Sequence, residues 1–247
     1  MAPWEGAASG RSRYSRGMQK SRSLGLIGGL GVGATVHYYE RLAKGCEQRG
    51  LTLDIVITNA YTPTVFEYVA AKDQAGLAAY LNRYMQRMKA AGAEIAAIPA
   101  VTPHYCLAEL VASSPLPIVS IFDPLRDELA RRAIRRIAIF GTRFVIESDF
   151  FAALPGLEIV RPEPDEMDVI HKTYVALAAA GKGSREQYET LTAVAKKLLQ
   201  RDRVESIVLA GTDLTLLFDE STAEFPCVDC AGVHIAEILR ALGENRS

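Results

Sequence analysis

The chain has 247 residues, of which 49 % are hydrophobic and 23 % are charged, and its formal net charge is -1. This composition is typical of a globular protein with a sizeable core, and the near-neutral charge provides no overall field for nucleic acid or an anionic membrane. No apolar run approaches the roughly 20 residues that span a bilayer. We therefore expect a cytoplasmic protein that acts on small molecules or on other proteins, with no nucleic-acid or membrane partner.

The first 23 residues are rich in Arg and Ser, carry a single acid and show no apolar periodicity, which predicts a disordered basic leader. Such a start is also found in transit peptides. A flexible leader or an over-long gene model, with Met18 as the true start, is the alternative that we favour. Four cysteines are too few for a disulfide scaffold in a chain of this length.

After Ser23, short apolar runs alternate with longer amphipathic ones. The predicted strands are 24–29, 53–60, 94–100, 116–121, 135–141, 157–160, 205–211 and 225–229. The predicted helices are 34–49, 73–92, 103–112, 123–134, 143–154, 163–180, 184–202, 213–219 and 230–243. This alternation predicts an α/β fold of mostly parallel sheets flanked by helices, in which ligands bind at the carboxyl ends of the strands.

The two halves of the chain resemble each other. RSLGLIGG and RRIAIFGT both run from a charge through an apolar strand to Gly, and EIAAIPAVT and ESIVLAGT both run from Glu through a strand to Thr. We predict two pseudo-symmetric α/β lobes, with residues 24–122 plus 230–247 in the first and 123–229 in the second. The site is then expected in the cleft between the lobes.

The Gly-rich stretch GGLGVGA (28–34) follows a predicted strand and opens a helix. Its Gly29-x-Gly31-x-x-Ala34 spacing is a loose dinucleotide-binding fingerprint, but that site needs an acid at the end of the next strand. Asp54 begins that strand instead. We interpret the loop as a set of backbone N–H groups at a helix start, which suits a carboxylate or a phosphate.

Cys227-Val-Asp-Cys230 is a single CxxC pair. A structural zinc site usually needs four ligands and the sequence has no second pair, so we predict no metal. A redox role stays open, because a thiolate is stabilised at a helix start. The alternative is that both residues are small packing groups at a strand-to-helix corner.

Polar residues and glycines lie at or just past the ends of several predicted strands. The predicted substrate-binding residues among them are Gly29, Asn59, Thr102, Thr142 and Thr212. His104 is the best acid/base candidate among the histidines, because it follows Thr102 in the first turn of a predicted helix. Asp213 follows Thr212 in another first turn, where the helix dipole favours a carboxylate. Thr102 and Thr212 are also plausible N-caps, which is compatible with contacting a ligand.

Six ordered segments resemble the aspartate/glutamate racemase superfamily. They are GLIGGLGVGATVHYYE, IPAVTPHY, FGTRFVIESDFF, IHKTYVAL, VLAGTDLTLL and PCVDCAGVHIAEIL, between residues 24 and 243. The resemblance implies two α/β lobes with the site between them, chemistry without a cofactor, and a homodimer.

The racemases of this superfamily use two cysteines, one from each lobe, to remove and return an α-proton. The resemblance places Ala100 and Gly211 at these positions, and neither has a side-chain acid or base. It places Val65 where aspartate-specific members carry an Arg, and Ala179 where some members carry a Lys. It also places Val101 where the family has the Asn beside its first cysteine. The replacements at Ala100, Val101 and Gly211 imply a larger and more apolar pocket, suited to a substrate that is bulkier or less charged than aspartate.

We therefore expect an enzyme that acts next to the carboxylate of a small amino acid or related acid. His104 or Asp213 would handle the proton, in a reaction of the isomerase, lyase or hydrolase type. Two alternatives stay open. One is racemisation of Asp or Glu through substitute groups, among which Cys106 and Cys230 are the remaining thiols near the site. The other is a non-catalytic protein that binds a small carboxylate.

Overall fold

The computed structural model describes residues 19–151 and 156–244. Its strands are β1 (Gln19–Lys20), β2 (Leu24–Gly28), β3 (Leu51–Thr52), β4 (Ile55–Asn59), β5 (Ile95–Ala97), β6 (Ile118–Val119), β7 (Arg136–Phe140), β8 (Glu158–Ile159), β9 (Ser206–Leu209) and β10 (Cys227–Asp229). Its α-helices are α1 (Val32–Gln48), α2 (Thr62–Ala70), α3 (Gln74–Ala90), α4 (Leu107–Ser113), α5 (Phe122–Arg131), α6 (Arg143–Glu147), α7 (Pro164–Ala180), α8 (Arg185–Arg201) and α9 (Cys230–Gly243). Short 3₁₀ helices at Thr102–Cys106 and Thr212–Leu216 follow β5 and β9.

Two four-stranded parallel sheets form the framework, one in each lobe. The first has the strand order β4-β2-β5-β6 and the second has the order β10-β9-β7-β8. Read in the opposite direction, the second order is β8-β7-β9-β10, which repeats the first strand for strand. The α/β fold with two sheet-bearing lobes, predicted from the sequence, is confirmed.

This strand order determines where a ligand can bind. In each lobe the chain leaves the first strand for a neighbour on one side and then crosses to the other side. The crevice at this reversal lies outside the carboxyl ends of the two central strands. Those strands are β2 and β5 in the first lobe and β7 and β9 in the second.

Each sheet is buried between helices, which is why its strands are nearly continuous apolar runs. In the second lobe β7 and β9 lie at the centre of one core, with Phe140 and Leu209 fully buried. In the first lobe, α3 packs on one face of the sheet and α9 on the other.

Helix α9 follows the last strand of the second sheet and packs against the first lobe. The hydroxyl of Tyr38 donates to Nδ1 of His234 at 3.0 Å, and Nε2 of His234 donates to the carbonyl of Val119 at 2.9 Å. Both side chains are fully buried. These two bonds join α9 to helix α1 and to strand β6 of the first sheet.

Residues 19–23 differ from the predicted disordered leader. Gln19–Lys20 pairs in parallel with Leu51–Thr52, and the N–H of Ser23 donates to Oε2 of Glu94 at 2.9 Å. Strand β1 consists of two polar residues, so it has no apolar periodicity from which a strand could be predicted. The remainder of the predicted leader, residues 1–18, lies outside the described residues.

Helix α2 is absent from the sequence prediction. Its segment contains Pro63, which interrupts the helical pattern, but the proline lies in the first turn, where its missing N–H breaks no helical hydrogen bond. Helix α6 is shorter than predicted and ends at Glu147. Within the described ranges, no helix combines the length and apolar character needed to cross a bilayer.

We expect Tyr38→Phe to lower the free energy of unfolding by about 1–3 kcal/mol, because it leaves the buried Nδ1 of His234 without a donor. The neighbouring Tyr39 is 47 % exposed, so Tyr39→Phe is the matched control and should change stability by less than about 0.5 kcal/mol. Urea unfolding of both variants measures the difference. Equal stabilities would mean that this contact does not hold α9 in place.

Candidate active site

A cavity of about 360 Å³ lies at the carboxyl ends of the central strands, between the two lobes. Its walls come from the loop before α1, from α2 and α7, and from the segments after β5, β7 and β9. The polar side chains that line it are those of Thr62, Thr102, Thr142, Tyr174 and Asp213. The remaining lining residues are apolar or glycine, so the cavity is largely hydrophobic.

The structure brings most of the sequence-predicted site residues together. Those that line the cavity are Gly29, Ala100, Thr102, Thr142, Gly211 and Asp213. Val65 and Ala179, the positions that the resemblance gives to an Arg and a Lys, line it as well. His104, Thr212 and Asn59 do not belong to this lining.

Asp213 joins the two lobes. It lies in the 3₁₀ helix after β9, is 1 % exposed, and accepts a hydrogen bond at Oδ1 from the N–H of Ala34 at 2.9 Å. Ala34 is the third residue of α1, whose own N-cap residue, Gly31, contributes no side-chain hydrogen bond. Asp213 therefore caps α1 from the opposite lobe, where the positive end of the helix dipole favours a carboxylate.

The environment of Asp213 suits it to proton exchange. Burial raises the pKa of its carboxyl, and the hydrogen bonds from Ala34 and Tyr174 offset part of that rise. The Tyr174 hydroxyl donates to Oδ2 at 3.4 Å. A buried carboxyl at a cavity wall with a raised pKa is a recurring feature of acid/base sites.

The glycines before α1 allow this carboxyl to come close. Gly31 has a φ of 117°, and a Cβ there would lie 2.4 Å from Oδ2 of Asp213. The N–H groups of GGLGVGA were expected to bind an anion, and the one on Ala34 binds a carboxylate of the protein itself. Val32 and Gly33 stand earlier in the same first turn, where N–H groups have no intrahelical acceptor.

Tyr174 covers Gly211. A Cβ built on Gly211 would lie 2.2 Å from Cε2 of the Tyr174 ring and 2.7 Å from Cδ2 and Cζ. The ring thus occupies the space into which a side chain at position 211 would project. Tyr174 was not among the predicted site residues, because its approach to Gly211 is a tertiary contact between α7 and the end of β9. Its sequence signal was weak, because an aromatic residue in an amphipathic helix is more often a packing residue than part of a site.

The structure gives His104 a different place from the one expected. Its side chain is 3 % exposed, Nδ1 donates to the carbonyl of Ala100 at 2.8 Å, and its ring packs edge-on against Phe122. Burial lowers its pKa to about 4. A neutral histidine that lies outside the cavity and is bonded to the Ala100 carbonyl is poorly placed to exchange a proton with a substrate. Of the two acid/base candidates, Asp213 therefore remains.

The other predicted residues make structural contacts. The hydroxyl of Thr212 donates to the carbonyl of Pro99 at 2.9 Å, which gives a second hydrogen bond between the lobes. Oγ1 of Thr142 caps α6 by accepting from the N–H of Val145 at 3.2 Å. Asn59 donates through Nδ2 to the carbonyl of Ala60 at 3.2 Å.

The thiols lie away from the cavity. All four cysteines are buried and free, and none lines it. Burial raises the pKa of both Cys106 and Cys227 to about 12, and burial together with the charge of Asp229 raises the pKa of Cys230 well above its ordinary value. These thiols stay protonated near neutral pH, so the CxxC pair fits the packing interpretation. No cluster of potential metal ligands occurs in the described part of the chain.

Comparison with known proteins agrees with this architecture. The family model described as Asp/Glu/Hydantoin racemase matches residues 27–238. An aspartate racemase homologue from Pyrococcus horikoshii OT3 is 23 % identical with a TM-score of 0.76, and covers 90 % of this chain and 100 % of its own. The aspartate racemase of Picrophilus torridus is 19 % identical with a TM-score of 0.74, and covers 92 % of this chain and 96 % of its own. An unliganded arylmalonate decarboxylase is 13 % identical with a TM-score of 0.50, and the match covers 91 % of this chain and 94 % of the decarboxylase. At these identities the solved structures establish the fold alone.

We expect Gly211→Ala to destabilise the protein by about 1–3 kcal/mol, because the new methyl group would overlap the Tyr174 ring. The cost should largely disappear in a Tyr174→Ala background. Gly243→Ala is the control, since its Cβ would meet only Leu51 at an ordinary 3.6 Å. Denaturant unfolding of the double-mutant cycle measures the coupling. An equal cost of Gly211→Ala in both backgrounds would contradict the packing described.

Proposed function

Because the chain belongs to the Asp/Glu/Hydantoin racemase family, we propose that it is an enzyme acting on a small carboxylic acid. The acid binds in the cavity between the lobes, and a proton is exchanged at the carbon next to its carboxylate. The observation that carries this proposal is the buried carboxyl of Asp213 at the cavity wall, with its raised pKa. The chemistry proposed uses no thiol and no cofactor.

The cavity can hold a carboxylate without a cation. The N–H groups at the start of α1 and the hydroxyls of Thr102 and Thr142 are the donors at its wall. None of the residues described around the cavity is Lys, Arg or His. A second carboxylate, as in aspartate, therefore lacks a counter-charge, whereas an apolar substituent would pack against Val65 and Phe66. This lining favours a bulkier and less charged acid than aspartate.

The proposed proton transfer takes place between Asp213 and the substrate alone. Ionised Asp213 takes the α-proton at Oδ2 as the C–H bond breaks, and the electron pair moves into the substrate carboxylate to form an enediolate. The reverse step returns a proton to the same carbon. If that carbon bears a second carboxylate, the absence of a counter-charge around the cavity disfavours keeping that group and favours its loss as CO₂. The same electron pair then stays behind on the carbon, and protonated Asp213 supplies the proton. General acid/base help of this kind contributes roughly 10²–10⁴-fold.

The cavity favours proton transfer on one face of the substrate. Racemisation by two groups needs a second acid or base opposite the first, yet Ala100 supplies none and Gly211 lies beneath Tyr174. We therefore favour a reaction that keeps or creates a single configuration over racemisation of Asp or Glu. A protein that only binds a carboxylate is the remaining alternative, and turnover distinguishes it.

A homodimer is also proposed, as is a cytoplasmic location. Apolar side chains on α1 (Val32, Val36 and Tyr39) and in or just after β4 (Ile57 and Tyr61) are exposed, and their removal from water would favour self-association. Sedimentation equilibrium of the purified chain measures the oligomeric state directly.

We expect Asp213→Asn to reduce turnover by roughly 10²–10⁴-fold while binding is kept. The amide oxygen still accepts from Ala34, but the side chain no longer exchanges a proton. Asp54→Asn, at an exposed position before β4, is the matched control. The assay follows α-deuterium incorporation by NMR with Asp and Glu enantiomers, aryl and alkyl malonates, and hydantoins.

Two outcomes of this assay would count against the proposal. Full activity of Asp213→Asn would remove Asp213 from the chemistry. A wild-type protein that binds a member of the panel, as seen by a thermal shift, but exchanges no proton would favour the binding alternative.

A further inference from the structure

Nothing in the backbone requires glycine at position 211. Its φ of -93° and ψ of 110° lie in the extended region that any residue adopts. The Tyr174 ring is the obstacle to a side chain, since three of its atoms would lie within 2.7 Å of a Cβ. The Tyr174 ring can therefore occupy this position only because residue 211 has no side chain.

We infer that Tyr174 is a positioning residue: its ring takes the place of a side chain at position 211, and its hydroxyl holds Oδ2 of Asp213 at the cavity wall. This inference deepens the proposed function and rests on it. A group in α7 thus shapes the second lobe's wall of the cavity, at the place where the resemblance puts a cysteine.

The surroundings of Asp213 leave Tyr174 as the group that can tune it. Helix α1 faces the carboxyl with backbone only, through Gly31 and the N–H of Ala34. Helix α7 faces it with the Tyr174 hydroxyl. Helix α9 also packs against this 3₁₀ helix, but its His234 is bonded to Tyr38 and Val119 and its Arg240 is paired with Glu237. Tyr174 is therefore the titratable partner of the carboxyl.

The hydroxyl of Tyr174 acts as a donor. Burial and the negative charge of Asp213 both raise the pKa of the phenol, so it stays protonated across the working pH range. A donor stabilises the ionised carboxylate and lowers its pKa. Removing the hydroxyl should raise the pKa of Asp213, and the limb of activity that requires ionised Asp213 should move to higher pH.

The test compares Tyr174→Phe with Tyr188→Phe. The control loses a hydroxyl that donates to the carbonyl of Thr222 at 2.9 Å, on α8 and away from the cavity. Phenylalanine keeps the ring over Gly211, so KM should change little in either variant. In Tyr174→Phe we expect kcat to fall about 10- to 100-fold, as for loss of a hydrogen bond to a charged group. The acidic limb of the pH profile of kcat/KM should shift to higher pH in that variant alone.

A second readout does not depend on turnover. The Asp213 carboxyl is titrated by NMR in protein carrying ¹³C-labelled aspartate, with its signal assigned through Asp213→Asn. We expect its midpoint to rise in Tyr174→Phe and to stay unchanged in Tyr188→Phe. An unmoved midpoint with kcat and the pH profile intact would overturn the inference while leaving the proposed function standing. A raised midpoint in a protein that turns over no substrate would support the contact and reject the proposed function.

Discussion

The hydrogen bond from the N–H of Ala34 to Asp213 links the two lobes at the candidate site. It joins the start of a first-lobe helix to the turn after a second-lobe strand, and the cavity lies beside it. The bond from Thr212 to the carbonyl of Pro99 ties the same turn to the end of β5. The glycine at 31 follows from this approach, because a side chain there would displace the carboxyl.

The same carboxyl thereby serves the fold and the proposed chemistry. Burial disfavours the ionised form of Asp213. The hydrogen bonds from the N–H of Ala34 and from the Tyr174 hydroxyl stabilise the ionised form and offset part of this penalty. The net effect of these opposing influences is a pKa above the ordinary value of an aspartate carboxyl. Sites that exchange protons are commonly built from this opposition between desolvation and hydrogen bonding.

Much of the fold was predictable from the sequence, since parallel strands buried on both faces and amphipathic helices leave strong periodic patterns. The rule that ligands bind at strand ends located Thr102, Thr142 and Asp213 in the cavity wall. The rule failed for His104 because a 3₁₀ turn, where an α-helix was expected, places its ring under Ala100 and against Phe122. Tyr174 could not be predicted, since its contact with Gly211 joins residues 37 apart in sequence.

The central claim is that one carboxyl exchanges a proton on one face of a bound acid, and the stereochemistry of exchange tests it most directly. The wild-type protein is incubated in D₂O with single enantiomers of α-substituted acids that carry apolar or charged side chains. Chiral analysis and ¹H NMR then follow configuration and deuterium content together. We expect deuterium to enter at the α-carbon with the configuration retained. Deuterium entry accompanied by equal amounts of the two enantiomers would require a second acid or base and would contradict it.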